Sequence, residues 1–107
     1  MAERDEALWL DARRRLTIVE LSECTGMPVA VLRELVEYGA LAPTDPRAEE
    51  WDFLGDCVAN VRAAARVGAD LELEVPALAL VLAYLERIAR LEEEVRRLGA
   101  LLGQARP

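Results

Sequence analysis

From residue 76 to about residue 103 the chain carries one uninterrupted helical pattern, roughly 40 Å long at about 1.5 Å per residue. A chain of 107 residues has material for one core, and no core of that size covers such a helix from end to end. The apolar positions indicate what the excess length serves. Leu78, Val81, Leu85 and Ile88 step by 3, 4 and 3, while Leu91, Val95, Leu98 and Leu102 step by 4, 3 and 4. These are coiled-coil seams, joined by a three-residue step from Ile88 to Leu91 that shifts the register. The spacing predicts a homodimer with Leu85, Ile88, Leu91, Val95, Leu98 and Leu102 at its interface, parallel and antiparallel pairing both being open. The alternative is a helix folded back on its own domain. The expected division is a head over residues 1–74 and a dimerisation helix with a short tail over residues 75–107.

The head opens with Thr17-Ile18-Val19-Glu20, which has the S/T-x-x-E spacing of a helix capping box. A helix should begin there, with Ile18, Leu21 and Cys24 on its apolar side and Gly26 stopping it in a left-handed turn. Pro28 is placed for a first helical position, and Val31, Leu32, Leu35 and Val36 recur at helical spacing until Gly39. Two short helices joined by a tight glycine turn form a helix-turn-helix, although an ordinary αα-hairpin reads similarly. Pro43, Asp45 and Pro46 signal a turn; Trp51 and Phe53 on alternate positions signal a short strand, for which Leu8-Trp9-Leu10 is the expected partner. A third helix is expected from about residue 55 to residue 67, with Cys57, Val58, Val61 and Ala65 inward and Gly68 closing it. An acidic link, residues 69–74, then leads to Pro76.

Chemistry is scarce in this sequence. It has no histidine and two cysteines, Cys24 and Cys57, too few ligands for an ordinary zinc site and no relay for a nucleophile. No glycine-rich phosphate loop is present, so neither cofactor, metal nor catalytic residue is expected and the chain does not read as an enzyme. No apolar run approaches the roughly 18 to 20 residues that span a bilayer, and residues 1–11 mix charges too evenly for a secretory signal. The expected place is the cytoplasm, away from membranes. A formal charge of −7 favours a basic partner over phosphate backbones. The second helix illustrates this, since its one cation, Arg33, stands against Glu34 and Glu37.

The Leu16-Thr17-Ile18, Cys24-Thr25-Gly26, Leu32, Gly39, Leu41 and Pro43 series resembles the DNA-binding head of MerR-type regulators. With Trp51-Asp52-Phe53, Asp70-Leu71-Glu72-Leu73, Val75-Pro76 and the tail from Leu91 to Leu102, the chain over residues 16–102 is similar to the CbpM family of chaperone modulators. One departure is Val75, where that family often has a tryptophan. The resemblance implies a mainly α fold: a MerR-like winged helix-turn-helix domain with a long C-terminal coiled-coil helix. It also implies a partner, the J-domain of a DnaJ/CbpA-like co-chaperone, whose stimulation of the Hsp70 chaperone DnaK such a protein inhibits. J-domains present a positively charged helix to Hsp70, which makes Glu34, Glu37, Asp70, Leu71, Glu72, Leu73 and Glu74 the candidate partner-binding residues. The rival reading is a MerR-like DNA-binding transcriptional regulator. Poverty of cations on the second helix and in the wing argues against it, because phosphate neutralisation supplies most DNA affinity, and no specific DNA binding is expected.

Overall fold

Thr17 is the residue at which extended chain becomes helix. The computed structural model describes residues 13–105, and within them a strand, β1 (Arg15–Thr17), runs directly into helix α1 (Ile18–Thr25). The Glu20 amide donates to Thr17 Oγ1 at 3.1 Å and the Thr17 amide to Glu20 Oε1 at 2.9 Å, the reciprocal bonds of the expected capping box. Gly26, with φ of 77°, ends the helix. Two hydroxyls then bind the turn: Thr25 Oγ1 donates to the Leu21 carbonyl and accepts from the Met27 amide, and Ser22 Oγ donates to the Met27 carbonyl. Helix α2 (Val29–Glu37) follows, with Pro28 one position earlier than expected, at the cap itself. It closes in a Schellman turn, the Ala40 amide donating to the Leu35 carbonyl and the Gly39 amide to that of Val36. Gly39 takes a φ of 79° for this purpose.

Strand β2 (Asp52–Leu54) pairs antiparallel with β1, in the register Arg15↔Leu54, Leu16↔Phe53 and Thr17↔Asp52. The expected partner strand, Leu8-Trp9-Leu10, lies outside the described residues; the pairing strand is Arg15–Thr17. Its register has a physical reason, since it places the buried Leu16 opposite the buried Phe53 on the core face. The loop before β2 is fastened by Trp51 Nε1 donating to the Pro46 carbonyl and by the Thr44 amide donating to that of Asp52.

A 3₁₀ turn (Gly55–Cys57) leads into helix α3 (Val58–Leu71), which passes through Gly68 instead of stopping there. Close packing explains the glycine: a Cβ at Gly68 would lie 2.9 Å from Leu78 Cδ1. The helix ends at Glu72, in the left-handed region with φ of 52°. Its inward residues are Cys57, Val58, Val61 and Ala64, with Ala65 half-buried rather than central.

Helix α4 (Val75–Ala105) has 31 residues, about 46 Å of helix. Leu78, Ala79 and Leu82 are buried in the same core as Leu16, Leu35, Phe53 and Val61, and Val75, Val81 and Leu85 pack at its edge. Asn60 Nδ2 on α3 donates to Glu86 Oε2 on α4 at 2.7 Å. From residue 90 to residue 104 every side chain is exposed. No helix among the described residues is long and apolar enough to cross a membrane.

Two outcomes test this arrangement. Leu82 is fully buried, so Leu82→Ala should destabilise the chain by about 2–5 kcal/mol in urea, whereas Leu101→Ala, at an exposed position outside the seam, should leave the unfolding of the head nearly unchanged. Equal losses would place the far half of α4 in the core as well. Burial above all, then the charges of Glu86 and Asp56, push the Cys57 thiol up from 9.0 to about 12. Between those values the unfolded chain releases the proton and the folded chain keeps it, so the contribution is intact below pH 9.0 and is lost as pH rises towards about 12. Denaturant titrations from about pH 8 to about pH 11 should show a shallower decline for Cys57→Ala than for the parent. Parallel declines would exclude Cys57 as the cause.

Candidate functional site

Glu34 and Glu37 occupy the last turn of α2 and are exposed. That turn holds no basic residue, so the two carboxylates add to the partial negative charge of the helix C-terminus. The last turn of α3 is built alike: Asp70 and Leu71 are exposed, no base is present there, and exposed Glu72 forms the left-handed cap. Leu73 is half-buried and Glu74 exposed, just ahead of α4. Its carbonyl accepts from the Leu78 amide and so opens that helix.

Topology gathers these groups at one end of the head. The α3 to α4 link is only residues 72–74, and the end of α2 meets the start of α4 at a groove lined by Tyr38, Gly39, Ala40, Pro76, Ala79, Leu80 and Ala83. Glu37 precedes one wall of this groove and Glu74 lies two residues before the other. The chemistry on offer is recognition: an apolar groove with carboxylates nearby suits a cationic surface with an apolar projection.

Three exposed apolar side chains here are absent from the sequence reading. Tyr38 is 57% exposed, Leu80 56% and Tyr84 60%. Tyr84 had a legible signal. Val81, Tyr84, Ile88, Leu91, Val95, Leu98 and Leu102 form one alternation of 3 and 4 without any shift, so the register break disappears once Tyr84 replaces Leu85. Leu85 is half-buried against the head, while Ile88, Leu91, Val95, Leu98 and Leu102 are exposed. The tail's ion pairs, Glu93 with Arg96 and Glu94 with Arg97, are solvent-exposed and contribute little.

The second helix of a groove-reading helix-turn-helix needs cations, and α2 offers few. Arg33, the one cation on α2, lines a cleft with Thr17, Trp51, Glu49, Glu50 and Asp52, so its surroundings are acidic. Arg13, Arg14 and Arg15 are exposed at the other side of the Thr17 junction.

Comparison with known proteins agrees with the fold and narrows it. The family described as MerR HTH family regulatory protein matches residues 16–99. The chaperone modulatory protein CbpM of Coxiella burnetii is 31% identical over 83 residues, 78% of each chain. That of Salmonella arizonae is 34% identical over 82 residues, 77% of this chain and 81% of the relative. By these matches, which span most of a chain built as a helix-turn-helix head, a two-stranded wing and a long terminal helix, it belongs to the CbpM family of chaperone modulatory proteins, within the MerR helix-turn-helix family.

Proposed function

We propose that this protein binds the J-domain of a DnaJ/CbpA-like co-chaperone and inhibits its stimulation of Hsp70, acting in the cytoplasm as a homodimer. The observation that carries the reading is the acidic end of the head, where the C-termini of α2 and α3 present Glu34, Glu37, Asp70, Glu72 and Glu74 with no base in either last turn. A J-domain engages Hsp70 through a positively charged helix. An acidic surface steers towards that helix and occludes it, which inhibits without any chemistry. Leu71 and Leu73 supply apolar contact beside the charges. The division of labour follows the fold: the head, completed by the first turns of α4, recognises the partner, and the part of α4 beyond the head joins two copies.

Calorimetric titration with the J-domain encoded in the same genome, followed by Hsp70 ATPase assays, tests the proposal. The parent protein should bind and suppress the stimulation; reversing Glu34, Glu37, Glu72 and Glu74 to Lys together should weaken binding by roughly tenfold or more and flatten its salt dependence. Silence at tens of micromolar, or binding that leaves stimulation unchanged, removes the mechanism. The same preparation should show no sequence-dependent binding to its own promoter DNA at about 150 mM salt, and sub-micromolar binding there would favour the regulator reading instead.

The dimer is tested separately. Leu91→Asp with Val95→Asp places unpaired charges in the proposed seam but outside the head's core, so sedimentation should report a folded monomer. A double variant that stays dimeric refutes the seam.

A further inference from the structure

We infer that the groove between the end of α2 and the first turns of α4 seats one large apolar side chain projecting from a basic amphipathic helix of the partner. This rests on the proposed J-domain reading and goes beyond it by naming the anchor. Gly39, Ala40, Ala79 and Ala83 line the groove with small residues, and Tyr38 and Leu80, more than half exposed, line it too. Its volume of about 220 Å³ is below the roughly 300–1,000 Å³ of small-molecule sites, which suits a single side chain better than a cofactor. Two helices form its sides, the geometry in which a third helix lays an apolar residue between them.

Charge selects the occupant. The groove begins where α2 ends, and that end holds Glu34, Glu37 and the negative pole of the helix without a compensating base. Glu74 flanks the other side, just before Pro76. A cationic helix is attracted there and an acidic one repelled. The two kinds of group then act on different steps: the carboxylates accelerate encounter, while burial of Tyr38 and Leu80 under the partner slows its release. Exposed tyrosine beside a small apolar depression is the composition from which interface anchors are built.

Kinetic binding measurements on the full-length protein separate this from the general proposal. Tyr38→Ala, Leu80→Ala and Ala83→Trp alter exposed positions, the last by filling the groove, so circular dichroism and sedimentation should match the parent. Each should accelerate dissociation of the J-domain by about tenfold or more, with association altered much less; reversal of Glu34 and Glu37 should do the opposite. If the parent binds and the three variants dissociate as it does, the groove is not the anchor, although the J-domain reading stands. If the parent does not bind the J-domain at all, that reading falls and takes the groove's occupant with it. If the variants turn monomeric, the groove is covered by a second copy and the inference is overturned.

Discussion

Leu78 of α4 seats its side chain directly over Gly68 of α3, where a Cβ would meet Leu78 Cδ1 at 2.9 Å and displace the end of that side chain. Most of the head follows from that approach. With Leu78 seated over Gly68, Ala79 and Leu82 enter the core that Leu16, Phe53, Val58 and Val61 share, and α4 becomes a structural wall of the head as well as a stem leaving it. The link between the helices is held to residues 72–74, and Glu72 takes a left-handed conformation that costs a non-glycine residue about 1–2 kcal/mol. Burial of Leu78 and Leu82 offsets that cost, since a leucine lost from a core is worth about 2–5 kcal/mol. The same seating carries Pro76 and Leu80 to the end of α2 and so creates the groove.

How far this was legible in the sequence depends on whether the governing interaction is local. The capping box at Thr17 and Glu20 and the left-handed turns at Gly26 and Gly39 are decided within a few residues, and each was readable. The long helix was readable too, because nothing between residues 76 and 103 interrupts its period. Local spacing marks Gly68 as a stop because a glycine near a helix end usually is one; what it packs against lies ten residues further on, at Leu78. Strand β1 is three residues long, starts at the last of three consecutive arginines and gains its register from Leu16 meeting Phe53. No local alternation could mark it. At the candidate site the charges were legible, and their assembly at one end was not. Tyr84 and Leu85 are adjacent and both apolar, so only the position of the head decides which one faces solvent.

The same head supports opposite partners through its surface alone. In a groove-reading helix-turn-helix the second helix needs cations for phosphates, whereas α2 here ends in two glutamates and its arginine faces an acidic cleft. Carboxylates at a helix C-terminus oppose the dipole, so they are unfavourable for α2 as an isolated element. They survive because α2 is held by tertiary burial of Leu32 and Leu35 and by its Schellman turn rather than by helix electrostatics. A scaffold stabilised in that way leaves the exposed face free to be set by recognition.

The stripe on α4 and the groove lie side by side along the helix and meet at Leu80. Leu80 and Leu98 are eighteen residues apart, five full turns at 3.6 residues per turn, so they project from the same side of the helix about 27 Å apart along its axis. Leu78, Leu82 and Leu85, which hold the head, lie on the opposite side. From Ile88 to Leu102 the stripe offers only two heptads, short for a coiled coil that has to hold by itself. Adding the exposed Tyr84 extends it towards the head, where Val81 is already packed against the core. In the proposed dimer the seam therefore runs up to Tyr84, one turn below Leu80. A partner helix seated in the groove then lies against the top of the seam.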